Sequence, residues 1–226
     1  MRLPTRRRIG VGTGVLAGLA ITAWLNAPGQ AHLRAPGPMN TGHAEVACES
    51  CHRLAPGTTR QQLQSVVRHW ITEENGRVDL GFRAVGNAEC ESCHVRPDDR
   101  HPVYRFLEPR FADARAAIHP EQCVSCHREH GGVRVTVADG TYCRQCHADL
   151  AIENDPVDVP HRELVTTERW DSCLGCHDFH GNHGMKAPTS LGAAIPAEAI
   201  RSYLRGGASP YPPPIVRARN PEVRTP

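Results

Sequence analysis

Ten cysteines constrain this chain of 226 residues more than any other feature, because all of them fall into five copies of one pattern. Each copy is a C-x-x-C pair followed directly by a histidine, and no cysteine is left over. The five copies are Cys48, Cys51 and His52; Cys90, Cys93 and His94; Cys123, Cys126 and His127; Cys143, Cys146 and His147; and Cys173, Cys176 and His177. On one helical turn, residues i, i+3 and i+4 share a face. The spacing therefore predicts two thiols and one imidazole side by side in each copy.

This pattern is typical of c-type haem attachment, in which two thiols bond the vinyl groups and the histidine stands beneath the iron. Two alternatives use the same cysteine spacing. Zinc sites would need the pairs to combine and would not require a histidine after every pair. A disulfide framework would spread its cysteines along the chain rather than pair them all at i, i+3. The sequence therefore predicts five covalently bound haem c groups, with the five motif histidines as proximal iron ligands.

The chain resembles the multihaem c-type cytochromes, in particular the class III group of low-potential, bis-histidine cytochromes. The resemblance covers about residues 43–183 and includes the five motifs, the extensions "CHREH" and "CHDFH", and the histidines before motifs in "HAEVAC" and "HPEQC". It implies a fold with little regular secondary structure and electron transfer through closely packed haems. The N-terminal segment is also similar to that of membrane-anchored tetrahaem quinol dehydrogenases. However, this chain has five motifs, and its first motif lacks the methionine usual in those proteins.

Histidines outside the motifs are the candidates for the second axial position of each iron. His130 lies three residues after His127, on the proximal side of that haem, so we expect it to bind a neighbouring haem, and "CHDFH" repeats this geometry. The five distal ligands predicted from sequence are His43, His119, His130, His161 and His180, and the weaker candidates are His101, His69 and His183. The shortest motif spacing, between Cys123 and Cys143, predicts the closest haem pair.

The N-terminus predicts export across the cytoplasmic membrane. "MRLPTRRR" is positively charged, and the 17 residues Ile9–Leu25 carry no charge. Such a segment is just long enough to cross a bilayer, with the following chain on the periplasmic side. Residues 1–31 are thus interpreted as an anchor in the cytoplasmic membrane or as a signal peptide cleaved after Ala31.

The rest of the chain is interpreted as a linker (32–46), a pentahaem domain (47–184) and a proline-rich extended tail (185–226). Within the domain, we expect a two-haem front to about residue 106 and a three-haem back. Residues Thr59–Glu74 have the apolar spacing of an amphipathic helix. Aromatic residues make up only 5% of the chain, so the haems are expected to form most of the core. The predicted fold class is mostly irregular with short α-helices and little or no β structure.

These features predict a periplasmic pentahaem cytochrome that relays electrons between a membrane-side donor and a periplasmic redox protein, without catalysis. The alternatives are a multihaem reductase of a nitrogen or sulfur oxyanion and a subunit of a conducting cytochrome filament. A reductase needs one haem with an open or lysine-ligated face, and the only lysine, Lys186, follows all five motifs. The net charge is only +2, and no basic block in the body of the chain indicates a nucleic-acid partner. The oligomeric state is left open.

The first testable expectation is the stoichiometry. Five covalently bound haems should add about 3 kDa to the chain or to its processed form. Mass spectrometry of the denatured, matured protein measures this directly. A mass that corresponds to four or fewer haems would contradict the interpretation of the motifs.

Overall fold

A computed structural model describes residues 5–27, 30, 33, 35–72 and 78–219. Short helices joined by irregular segments make up this part of the chain. Its α-helices are α1 (Thr5–Leu25), α2 (Thr59–Thr72), α3 (Asn87–Glu91), α4 (Ala112–Ile118), α5 (Cys123–Cys126), α6 (Arg144–His147), α7 (His161–Thr166), α8 (Cys173–Cys176) and α9 (Ala197–Leu204). Single 3-10 turns lie at Cys48–Ser50, Val103–Leu107, Pro109–Phe111, Gly140–Cys143, Trp170–Ser172 and Leu191–Ala193.

The described residues contain no β-strand, only isolated bridges that join Leu54 and Leu80 to Phe82 and His183 to Pro214. The expected class of short helices with little or no β structure is confirmed. The predicted helix from Thr59 is present as α2 and is described to Thr72. The last two residues predicted for it, 73 and 74, lie outside the described residues.

Helix α1 is apolar on all sides. Its segment Arg7–Leu25 has a mean hydropathy of 1.4, and none of it is buried against the rest of the protein. Nineteen helical residues span about 28 Å, close to the thickness of a bilayer core. The helix is therefore long and apolar enough to cross a membrane, and its position near the N-terminus fits a signal sequence equally well.

The protein core is sparse for a chain of this length. Among the described residues, no side chain is less than 2% exposed. The solvent-accessible surface is 16222 Å², whereas a compact protein of 24.8 kDa exposes about 10,000 Å². The exposed helix α1 accounts for part of this excess. The remainder indicates that the polypeptide surrounds open space rather than packing on itself.

One small side-chain core lies near the C-terminus, where α9 packs against α8. Leu174, Ile200 and Leu204 are its buried members. Helix α9 begins after Pro196, which suits the first turn, and carries Glu198 and Arg201 at the ends that the helix dipole favours. Gly206 follows with a φ of 103°, the left-handed conformation that commonly ends a helix. The segment predicted as an extended proline-rich tail thus contains a helix that packs on the body, and residues 220–226 of that segment lie outside the described residues.

Contacts across residue 106 join the expected front and back of the domain. Arg96 Nε donates to Asn182 Oδ1 at 3.0 Å. Asn40 Nδ2 donates to the carbonyl oxygen of Arg128 at 3.0 Å. The first link ties the front to the back, and the second ties the predicted linker to the back.

The C-terminal core can be tested by truncating one side chain. Ile200 is 2% exposed, so Ile200→Ala should lower the free energy of unfolding by about 2–5 kcal/mol through lost burial and the cavity left behind. Denaturant unfolding of the matured protein measures the loss. The matched control is Ile215→Ala, because Ile215 is 71% exposed. Equal losses in both variants would show that α9 does not pack as described.

Candidate functional site

Every C-x-x-C-H motif forms one helical turn. The fourth motif lies in α6 and in the 3-10 turn before it. In the other four, the backbone amide of the histidine donates to the carbonyl of the first cysteine: His52 to Cys48 at 2.8 Å, His94 to Cys90 at 2.9 Å, His127 to Cys123 at 2.9 Å, and His177 to Cys173 at 2.8 Å. The ten cysteines all lie within the described residues, and none of them forms a disulfide. Two thiols and one imidazole therefore lie together on each turn.

A second histidine faces the motif histidine in each of the five cases. The ring-centroid distances are 6.1 Å for His52 and His130, 5.9 Å for His94 and His43, 6.1 Å for His127 and His180, 6.3 Å for His147 and His101, and 6.2 Å for His177 and His161. Each motif with its facing histidine is called a unit here, numbered 1 to 5 in the order of the motifs.

These separations have a chemical meaning. A histidine nitrogen lies about 2.0–2.1 Å from a bound transition metal and about 1.2 Å from its own ring centroid, so two imidazoles on opposite sides of one ion have centroids about 6.4 Å apart. The observed distances of 5.9 to 6.3 Å are close to this value. Each unit is thus spaced for one metal ion between two imidazoles.

Protein side chains would supply only two ligands to such an ion. Among the described residues, no group of three or more histidine, cysteine, aspartate or glutamate side chains is arranged to hold a metal ion. Structural zinc sites take four protein ligands, so the described residues do not provide that arrangement. The remaining coordination positions would have to come from a cofactor that brings its own donor atoms.

The Nδ1 atom of each facing histidine already has a partner. His43 Nδ1 lies 2.8 Å from Glu129, His161 Nδ1 2.9 Å from Asp155, and His180 Nδ1 3.1 Å from Asp99. The other two rings contact backbone carbonyl oxygens, His101 that of Phe179 at 2.6 Å and His130 that of Gly37 at 3.2 Å. Such partners fix the ring orientation and leave Nε2 for a metal. The same hydrogen bonds, to carboxylates in three cases, make the rings better donors.

Burial keeps several of these rings neutral. It lowers the pKa of His94 to about 4 and also lowers the pKa of His127. Burial lowers the pKa of His101 as well, although its contact with the Phe179 carbonyl opposes the change. A metal ligand must be the neutral imidazole. The buried rings are therefore in the protonation state that binds a metal at neutral pH.

Asn40 holds the loop that carries two of the site residues. It is 4% exposed, its Nδ2 donates to the Arg128 carbonyl at 3.0 Å, and its Oδ1 accepts from the Gly131 amide at 3.1 Å. Its backbone amide donates to Glu129 Oε1 at 2.6 Å. Asn40 thus positions both Glu129, which orients His43, and His130, which faces His52. An asparagine in a predicted linker carries no sequence signal of this role.

Phe179 lies between two units. Its ring stacks on His101 of unit 4 at 4.1 Å with an interplanar angle of 7°, and it meets His180 of unit 3 edge-on at 4.9 Å. Its carbonyl oxygen is also the partner of His101 Nδ1. The "CHDFH" extension therefore serves three purposes, because it supplies His180, orients His101 and packs the two units against each other.

Four of the five predicted distal histidines lie opposite a motif histidine, and the fifth, His119, does not. His119 ends α4 in a left-handed conformation with a φ of 46°. Its side chain is 59% exposed and lies 3.3 Å from Glu121, and no described motif histidine is in ring contact with it. His101, a weaker candidate from sequence, occupies the place opposite His147.

The two other weaker candidates are also placed away from the motif histidines that the structure describes. His69 lies on α2. His183 is buried, with Nδ1 2.9 Å from Asp178 and its ring stacked on Tyr211 at 4.8 Å. This contact attaches the C-terminal segment to the fifth motif. His183 thus has a structural role between the body and the tail.

Units 2 to 5 line one continuous cavity of about 2180 Å³. A pocket for a single small molecule usually occupies about 300–1,000 Å³, so this space holds several. Neither His52 nor His130 of unit 1 lines it, and Cys48 is exposed. Unit 1 therefore stands outside the shared cavity.

Neighbouring motifs lie against each other, α3 against α5 and α8 against the turn Gly140–Cys143. A hydrogen bond to Cys123 raises the pKa of Cys90, and a hydrogen bond to Cys173 raises the pKa of Cys143. These contacts join unit 2 to unit 3 and unit 4 to unit 5. The closest haem pair, predicted for the third and fourth motifs from their short spacing, stays a prediction.

Comparison with known proteins adds no relative to this picture. No family model, no curated protein and no solved structure matches the chain.

The role of Asn40 can be measured without reference to a cofactor. Asn40→Ala leaves the Gly131 amide and the Arg128 carbonyl without their side-chain partner, which should cost about 1–3 kcal/mol of stability. Amide hydrogen exchange should speed up in residues 36–46 and 127–133 but not in residues 155–166. Asp149→Ala, at an exposed position, is the control. Uniform or unchanged exchange in Asn40→Ala would exclude the proposed anchoring.

Proposed function

We propose that the five units are c-type haem sites and that the protein relays electrons. The observation that carries this proposal is the set of five opposed imidazole pairs, one for each motif, at 5.9 to 6.3 Å. Each motif would bind its haem through two thioether bonds. The motif histidine would be the proximal ligand and the facing histidine the distal ligand. The distal assignments are His130 to the first haem, His43 to the second, His180 to the third, His101 to the fourth and His161 to the fifth.

The residues present fit five such groups. The thiols of every motif are free and stand on the same turn as their histidine. The cavity shared by units 2 to 5 is larger than one cofactor needs. The sparse side-chain core is consistent with cofactors as the main filling of the interior. Cofactor binding would then supply much of the folding free energy.

Haem supplies one-electron chemistry at its iron when it is bound. Two histidines of this chain would hold the iron in each of the five units, so no position would be left for a substrate. The carboxylates of Glu129, Asp155 and Asp99 beside His43, His161 and His180 make these rings stronger donors. This ligation supports an electron carrier over the alternative of an oxyanion reductase, which needs an open iron face.

Contacts between units support a relay through the whole protein. The thiol contacts connect unit 2 to unit 3 and unit 4 to unit 5. Phe179 joins units 3 and 4 through His180 and His101. Unit 1 is tied to unit 3 by the short loop between His127 and His130. No unit is isolated, so an electron accepted at one unit has neighbours to which it can pass.

The setting of the relay follows from the export signal. Helix α1 fits a membrane anchor or a cleaved signal, and either would place the body in the periplasm. A membrane-side donor and a periplasmic redox protein are then the proposed partners. A conducting filament of stacked subunits is the structural alternative, and it predicts a polymer in place of a monodisperse protein.

The distal assignment reverses the order in which the sequence ranked His119 and His101. His101→Ala should open one iron and leave all five haems covalently attached, so one haem in five becomes high-spin and binds carbon monoxide. His119→Ala is the matched control and should leave every haem low-spin, because that side chain is exposed. Electron paramagnetic resonance and carbon monoxide difference spectra measure both. The reverse result, a high-spin haem in His119→Ala alone, would refute the assignment of His101.

A further inference from the structure

Helix α2 presents its apolar side chains to the outside. Leu63, Val67, Trp70 and Ile71 are 49%, 51%, 76% and 77% exposed. They recur at intervals of three and four residues, so they form one stripe along the helix. An amphipathic helix normally buries such a stripe against the core. Here the stripe is uncovered, which calls for a partner outside the chain's own core.

The opposite side of α2 is fixed to the body by Gln62. Its Nε2 donates to the Ala55 carbonyl at 3.0 Å, and its Oε1 accepts from the Gly81 amide at 3.0 Å. The backbone segments held in this way carry three further exposed apolar residues, Leu54, Leu80 and Phe82, at 76%, 52% and 52%. The outward stripe is thus a consequence of how the helix is attached.

Within the described helix Thr59–Thr72, positive charge borders the stripe. Helix α2 contains Arg60 and Arg68 but no aspartate or glutamate. Both arginines line a shallow groove of about 840 Å³ together with Leu63, Val67 and Ile71. Apolar side chains bordered by arginine are typical of helices that lie at a membrane interface, with the guanidinium groups among the headgroups.

We propose that α2 lies on the surface of a lipid bilayer, with Leu63, Val67, Trp70 and Ile71 inserted among anionic phospholipids. The charge of Arg60 and Arg68 complements the phosphates. Helix α1, which is long and apolar enough to cross a bilayer, would hold α2 close to that surface while it is attached, and so raise the effective concentration of lipid.

A bilayer suits this surface better than a second copy of the chain. A helix of 14 residues is about 21 Å long, and a strip of that length about 10 Å wide covers only about 200 Å². A stable protein interface buries about 800 Å² on each partner. The stripe is therefore too small to hold a dimer, whereas four inserted side chains are enough to orient a helix on lipid.

Contact with the membrane would also orient the relay. The ring of Phe82 lies 6.2 Å from that of His52 in unit 1, so unit 1 is the unit nearest to the bilayer. This consequence rests on the proposed haem sites, but the lipid contact itself does not. Electrons from a membrane-side donor would then enter at unit 1.

Photocrosslinking of the full-length protein tests the contact. Benzoylphenylalanine replaces Trp70 in one variant and Tyr104 in the control, because Tyr104 is 71% exposed but lies outside α2. Both are reconstituted into vesicles of phosphatidylglycerol and phosphatidylethanolamine, illuminated and analysed by mass spectrometry. The position-70 variant should carry at least about five times as much lipid adduct as the control.

Three outcomes would overturn the proposal. Equal lipid adducts at both positions would show that the stripe does not face the bilayer. An adduct of twice the chain mass at position 70 would identify a second copy as its occupant. An unchanged lipid adduct in vesicles of phosphatidylcholine alone would rule out the role of anionic headgroups. If the Trp70 variant does not fold, as judged from its far-ultraviolet circular dichroism, Ile71 is the second labelling position. Haem loading is measured separately, so failure of the haem proposal leaves the lipid result valid.

Discussion

Each motif histidine lies opposite a second histidine from elsewhere in the chain, and the rest of the fold is arranged around these five histidine pairs. The separation of about 6 Å is too wide for direct hydrogen bonding between the rings and suits one ion between them. Maintaining that gap requires every ring to be held from behind. Glu129, Asp155 and Asp99 do this for three distal rings, and backbone carbonyls do it for the other two.

The five facing histidine pairs also explain why so little regular secondary structure is present. A helix or a sheet normally buries apolar side chains against a neighbouring element. Here most segments border the cavity and its histidines instead. Short turns suffice to present two thiols and one imidazole, so the motifs stop after a single turn. Among the described residues, the buried cluster around Ile200 packs side chain against side chain where α9 meets α8.

Local sequence predicts local geometry well and distant pairing poorly. The C-x-x-C-H spacing correctly indicates single helical turns, since it depends on contacts within five residues. The choice of distal histidine depends on tertiary contacts instead. His119 precedes a motif closely, but it ends α4 in a left-handed conformation and stays exposed. His101 gave a weaker signal, and it reaches its place through a carbonyl 78 residues further along the chain. The periodicity of α2 predicted a helix, but it could not show that the Gln62 contacts leave the apolar stripe outside.

His130 and His180 each connect two units, and these connections have two consequences. Because His130 and His180 each follow a motif histidine by three residues, a displacement of one motif moves the distal ligand of another unit. Loss of a single unit should therefore disturb its neighbours, so the five sites are expected to assemble cooperatively. At the same time, the fixed three-residue interval allows the distance between neighbouring units to vary little. Under the proposed function, the arrangement that would make the protein dependent on all its haems would also keep its electron path continuous.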